Sequence, residues 1–168
     1  SGSRQGRPTV AIRTTGCTHR CWFGEGGWCD SWYTSIHSEK GIYTFNDIIK
    51  IYDEHPYITE MMLTGGSPTM QPDLCNELTH FANERGIFIT IETEGSHYVE
   101  TDFPIGLISL SPKFSNSVPK LDVTTPMGKL VDQKMIDQHN KLRLNREDRK
   151  STRLNSSHSQ QSRMPSSA

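Results

Sequence analysis

Four short apolar segments, each ending in a cluster of small, polar or thiol residues, set the strongest limit on what this chain can fold into. Thr9-Val10-Ala11-Ile12-Arg13-Thr14 is β-branched and runs into Gly16-Cys17, and Glu60-Met61-Met62-Leu63-Thr64 stops at Gly65-Gly66. Ile87 to Thr93 is the clearest strand and closes on Glu92-Thr93-Glu94-Gly95, while Leu107-Ile108-Ser109-Leu110 meets Ser111-Pro112-Lys113. Helical patterns fill two of the gaps. Thr44-Phe45-Asn46-Asp47 reads as a capping box opening a helix with Phe45, Ile48, Ile49 and Tyr52 on one face and Pro56 at its end. Pro72 to Arg85 follows with Leu74, Leu78, Phe81 and Ala82, and Gly86 stands where a C-terminal cap belongs. Strand, loop and helix thus alternate from Thr9 to Leu110, a pattern that favours parallel strands with right-handed crossovers. Every chemically suggestive group falls after a strand, on the C-terminal rim of an α/β barrel or open sheet, where such folds carry their sites.

Three of the four cysteines, Cys17, Cys21 and Cys29, lie in the first of those rim segments. Packing hardly explains such crowding; it suggests metal, with reduced cysteines that bind nothing as the remaining alternative. A closed zinc site takes four ligands, so His19 would have to complete a Cys3His set. Three thiolates on a four-iron cluster instead leave one iron open for a small molecule. Cys75 sits inside the second helix and reads as a small buried residue.

Length and charge narrow the classes. With 168 residues there is enough chain for one domain with a core, no apolar run is long enough to span a bilayer, and the start shows no signal-peptide pattern, so a cytoplasmic protein is expected. Cysteines in that compartment read as ligands or free thiols. A formal charge of −1 offers no pull toward nucleic acid or anionic lipid, which leaves a small-molecule substrate.

The last stretch differs in kind. A polar helix is expected from about Met127 to Asn145, with Leu130, Met135, Ile136 and Leu142 as its apolar positions. Beyond it the chain turns serine-rich and could bury no core. Asp148 to His158 and Ser162 to Ala168 resemble the conceptual translation of a short-read sequencing adapter, with Ser159, Gln160 and Gln161 where a sample index would lie. The expected division is a core fragment over 1–146 and a non-native tail over 147–168.

Taken together, the rim motifs resemble the radical S-adenosylmethionine superfamily and, within it, the 7-carboxy-7-deazaguanine synthase family, over roughly residues 4 to 145. Gly6-Arg7-Pro8, Arg13 and Gly16-Cys17 resemble the approach to that family's cysteine loop, and Trp28-Cys29-Asp30-Ser31 resembles its Trp-Cys-Asp-Thr. Thr64-Gly65-Gly66-Ser67-Pro68 resembles Thr-Gly-Gly-Glu-Pro, and Glu92 to Gly95 and Ser111-Pro112-Lys113 resemble two further segments.

The resemblance implies a partial (β/α) barrel, incomplete at its C-terminal side, with a 4Fe-4S cluster on Cys17, Cys21 and Cys29. It implies S-adenosyl-L-methionine held by Thr64, Gly65, Gly66, Ser67, Glu92, Ser111 and Lys113, and Mg2+ at Ser31 beside a substrate carboxylate. The reaction implied is conversion of 6-carboxy-5,6,7,8-tetrahydropterin to 7-carboxy-7-deazaguanine with loss of ammonia, on the route to queuosine. An electron donor such as flavodoxin or ferredoxin belongs with it, and a homodimer is compatible.

Three departures qualify the match. The spacing is C-x3-C-x7-C rather than C-x3-C-x2-C, so Phe23 to Gly27 reads as an insertion. Ser67 stands where the family's glutamate would bind the cofactor ammonium, losing a charge-assisted hydrogen bond worth about 1.5–3 kcal/mol. Ser1-Gly2-Ser3 reads as the remnant of a substrate loop, and later strands are missing. His19 is expected to face solvent if a cluster is present, Trp22, Trp28 and Trp32 could shield one, and Ser31 or Asp30 could simply cap the next turn. His97 has no assigned role. The rival readings are a glycyl-radical-enzyme activase of the same superfamily and a Cys3His zinc-binding interaction module.

Overall fold

A computed structural model describes residues 4–35, 41 and 43–144 of the chain. Strands β1 (Thr9–Thr14), β2 (Glu60–Gly65), β3 (Phe88–Thr93) and β4 (Leu107–Leu110) form one sheet in the order β1-β2-β3-β4. All three pairings are parallel, with Val10 opposite Met61, Met61 opposite Ile89 and Ile91 opposite Ile108. The sheet is an open arc of parallel strands, the α/β architecture that the strand–helix alternation requires.

Helices α1 (Trp32–Ser35) and α2 (Phe45–Glu54) lie between β1 and β2, and α3 (Pro72–Arg85) between β2 and β3. The α2 start forms as expected: Thr44 Oγ1 accepts from the Asp47 N–H at 3.3 Å while Asp47 Oδ2 accepts from the Thr44 N–H at 2.7 Å. Pro72 opens α3 where its missing N–H costs nothing, and Gly86, at φ 65°, closes it in the left-handed conformation.

Alternation along the strands decides where the core sits. Met61 and Leu63 of β2 and Ile89 and Ile91 of β3 are buried, packed with Ile48 and Tyr52 of α2 and Leu78, Phe81 and Ala82 of α3. The opposite face carries Arg13 beside Thr64 and Glu92 beside Ser109. One face of the sheet is therefore hydrocarbon core, and the other mixes Ala11, Met62 and Leu107 with these polar groups. At the N-terminal end Glu60 is buried and ion-paired with Arg4 and Arg7, and the Arg4 guanidinium holds its carboxyl below the usual carboxylate range.

Two expectations are corrected. The strand–helix alternation does not extend to the last crossover: residues 94–106 connect β3 to β4 without a helix. The final helix, α4 (Gln133–Arg143), begins later than the polar pattern suggested. Asp132 caps it, accepting from the Met135 N–H at 2.8 Å, and Thr124 to Leu130 are taken up by an antiparallel bridge that turns at Gly128, φ 77°. Leu130 is consequently exposed, and the one fully buried side chain of α4 is His139. The expected tail and the expected remnant at Ser1 to Ser3 lie outside the described residues.

Candidate functional site

The cysteine loop leaves β1 and is tied down from three sides. Gly16 N–H donates to Thr34 O at 2.9 Å, and Arg20 Nη1 donates to Cys17 O at 2.7 Å and His19 O at 2.8 Å. The inserted residues form a tight hairpin. Trp22 and Trp28 pair in an antiparallel bridge, Phe23 N–H donates to Gly27 O at 2.8 Å, and Gly24 and Gly27 adopt φ 65° and 81° at the turn. At the base of that hairpin Cys29 N–H donates to Cys21 O at 3.0 Å. Longer spacing in sequence thus becomes adjacency in space.

All three cysteines are free thiols, Cys21 buried and the other two half-buried. Burial, then the Glu94 charge, pushes the Cys17 thiol up to about 11; burial pushes Cys21 up to about 12 against the pull of Lys113. Cys17 and Cys29 each raise Cys21 further. Burial disfavours the thiolate forms of Cys17 and Cys21, and a bound metal cluster would supply the positive charge that stabilises them. Among the described residues no three His, Cys, Asp or Glu side chains are gathered closely enough to hold one metal ion. A cluster spreads its thiolates over separate irons and asks for wider spacing than a single zinc does.

His19 corrects the sequence reading. It is 2% exposed rather than solvent-facing, its Nε2 3.4 Å from Ser96 Oγ and its ring edge-on to His139 at 4.9 Å. It belongs to a buried polar layer behind the cysteine loop. There His139 Nδ1 accepts from the Arg20 N–H at 3.1 Å, its Nε2 lies 3.1 Å from Ser117 Oγ, and Ser117 O accepts from the Trp22 N–H at 3.0 Å. Burial lowers His139 to about 4, so it is neutral near pH 7 and can accept the loop's N–H. His97, unassigned from sequence, lies with Nε2 3.1 Å from Thr18 Oγ1 and ties the same loop to the segment after β3.

The glycine turn after β2 is closed against this loop. A Cβ on Gly65, whose φ is 121°, would lie 2.2 Å from Thr14 O, and one on Gly66 would lie 2.2 Å from Gly16 O. Ser67 N–H then donates to Gly16 O at 2.8 Å. The pair is therefore needed first to let two backbone segments touch, and only the remaining surface is available to a ligand.

Ser67 is fully buried, and its hydroxyl donates to Glu94 Oε1 at 2.8 Å. Thr64 Oγ1 donates to Glu92 Oε2 at 2.9 Å across the face of the sheet opposite the core. Lys113 Nζ donates to Ser111 Oγ at 3.3 Å beyond β4. Ser31 precedes α1; its carbonyl accepts from the Thr34 and Ser35 N–H groups, while its hydroxyl donates to Asp30 Oδ1 at 3.0 Å. The turn-capping role is thus met by the backbone, and the two side-chain oxygens lie together. Trp32 Nε1 is a buried donor with no hydrogen-bond partner among the described residues, the kind of group a bound ligand satisfies. Trp28 packs edge-on to Trp32 at 5.3 Å, and Cys75 is buried in α3, its thiol donating to Pro68 O at 3.4 Å.

The fold therefore brings the cysteine loop, the glycine turn and the ends of β3 and β4 to one rim. Sequence reasoning missed the anchoring residues His139, Ser117 and Arg20, and missed that Glu94 faces Ser67. A lone histidine in a polar helix gives no signal; the parallel pairing of β2 with β3 could have suggested the Glu94 contact.

The family model described as Radical SAM superfamily matches residues 11–103. A 7-carboxy-7-deazaguanine synthase from Halobacterium salinarum is 36% identical over 127 residues, 76% of this chain and 46% of that protein. One from Rhodopirellula baltica is 33% identical over 118 residues, 70% and 42% of the two chains. The crystal structure of QueE from Escherichia coli superposes with a TM-score of 0.54 at 25% identity, covering 68% of this chain and 55% of that one. The chain spans less than half the length of these two curated relatives.

Proposed function

The chain belongs to the radical SAM superfamily, and from that premise we propose that it forms the radical-generating part of a 7-carboxy-7-deazaguanine synthase, a lyase converting 6-carboxy-5,6,7,8-tetrahydropterin to 7-carboxy-7-deazaguanine with loss of ammonia. The observation that carries this is the meeting, on one rim, of three free thiols with the glycine turn and the Glu92 and Lys113 segments.

Cys17, Cys21 and Cys29 would hold a 4Fe-4S cluster, and the orphaned Trp32 donor and the Cys17 and Cys21 thiols held in their neutral forms by burial fit such a group. Such a cluster would supply one-electron reduction of bound S-adenosyl-L-methionine. The chain's own residues do the rest. Arg20 and His139 fix the loop that presents the thiols, and the Trp22–Trp28 hairpin covers it and limits water. Glu92, with Thr64, and Lys113 offer an acceptor and a cation to the polar parts of the cofactor. Ser31 and Asp30 offer the oxygen donors that Mg2+ takes, beside a substrate carboxylate.

A flavodoxin- or ferredoxin-like electron donor, a cytoplasmic setting and a homodimer complete the reading. Among the described residues no helix is long and apolar enough to cross a membrane. The test is iron and acid-labile sulfide content after anaerobic reconstitution, for the native chain and Cys21→Ala. About four irons with matching sulfide, lost in the variant, is the expected result. One zinc without sulfide would replace this reading with the Cys3His module.

A further inference from the structure

The rim contains a buried carboxyl group with few close hydrogen-bond donors among the described residues. Glu94 is 4% exposed. Its partners among the described residues are Ser67 Oγ at 2.8 Å, Thr93 Oγ1 at 3.5 Å and, as the one basic group, His19 Nδ1 at 4.0 Å. A carboxylate offers about four acceptor sites, and only one short bond is made here. A buried carboxylate whose acceptor sites are mostly unfilled is costly unless a hydrogen-bonding group of opposite charge arrives. The neighbouring cations are turned elsewhere, Arg20 to Cys17 O and His19 O, and Lys113 to Ser111.

Its placement names the visitor. Glu94 lies close enough to the cysteine loop for its charge to act on both Cys17 and Cys21. It also touches the residue that ends the glycine turn, and Ser67 is a short side chain with no exposed surface that leaves the neighbouring space to the longer one. We propose that Glu94, held by the Ser67 hydroxyl, is the acceptor for the primary ammonium of S-adenosyl-L-methionine, so that β3 supplies the negative charge that position 67 does not. This rests on the radical reading above. It also changes what Ser67 does: the hydroxyl positions a carboxylate rather than binding the cofactor poorly by itself.

The test compares equilibrium binding of S-adenosyl-L-methionine and its desamino analogue to the anaerobically reconstituted full chain. The native chain should prefer the amino compound by about tenfold to a hundredfold, the worth of a charge-assisted hydrogen bond. Glu94→Gln, close in size, should bring that ratio near one, and adding Ser67→Glu to Glu94→Gln should restore most of it. A native-like ratio in Glu94→Gln overturns the assignment and leaves Glu94 as a partner of His19. No binding of either compound by the native chain overturns the radical reading and the assignment with it. Should Glu94→Gln not fold, Ser67→Ala carries the test: a ratio below the native value supports the assignment, and an unchanged ratio overturns it.

Discussion

The sheet has two buried layers, and they are built on opposite principles. Behind it, Met61, Leu63, Ile89 and Ile91 meet Leu78, Phe81 and Ala82 in a layer held by non-directional burial of hydrocarbon. Behind the cysteine loop, His19, Ser67, Glu94, Ser96, Ser117 and His139 are equally hidden, yet hydrogen bonds of fixed direction tie them together. The first layer tolerates exchange among residues of similar volume. The second does not, because an unmade bond there leaves a buried polar group stranded. Stability is drawn mainly from one layer and the placement of the thiols from the other.

Substitutions can separate the two. The largest effect is expected from Gly66→Ala, whose Cβ would lie 2.2 Å from the Gly16 carbonyl. Backbone must move, so iron incorporation should be abolished, as read from the visible absorbance of reconstituted protein. Leu78→Ala, at a fully buried position of the apolar layer, should cost about 2–5 kcal/mol in chemical denaturation. If the layers are separate, what remains folded should still take up iron at the native ratio; loss of iron in proportion to stability would dissolve the distinction.

His139→Leu sharpens the comparison from the other side, because it strands the Arg20 N–H at about 1–3 kcal/mol. Its iron uptake should fall further than its stability, and His139→Asn, which restores an acceptor, should recover part of it. The same residue gives a pH signature. Its folded pKa of about 4 lies below the ordinary 6.5, so the unfolded chain binds the extra proton between those values. Stability should therefore be full above about pH 6.5 and fall as the pH drops toward 4, and His139→Asn should flatten that part of the profile. Smallest is Thr44→Ala, which removes the α2 capping box far from both layers and should cost about 1 kcal/mol without touching iron uptake.

Much of the apolar layer was legible beforehand because its rules are local. The alternation of Ile87 to Thr93, the helical spacing of Leu74, Leu78, Phe81 and Ala82, and the Gly86 cap each announce an element and its buried face. The polar layer was not, because its members come from five separate segments and each is ordinary where it stands. His19 looked like an exposed loop residue, and its burial depends on α4 arriving from far along the chain. The α4 start was misplaced for a related reason. A polar helix pattern carries no phase, and the Thr124–Leu130 bridge decided where it could begin.

The sequence by itself determined the parallel α/β plan, the rim on which chemistry would gather, and the three thiols that lead it, because periodicity, caps and cysteine spacing are short-range signals. Only the tertiary structure decided that a seven-residue gap still makes Cys21 and Cys29 neighbours, that Gly65 and Gly66 serve backbone contact first, and that the Ser67 hydroxyl is spent on Glu94. Each of those depends on which strands lie side by side, and direction and distance between segments remote in sequence are fixed only when the sheet forms.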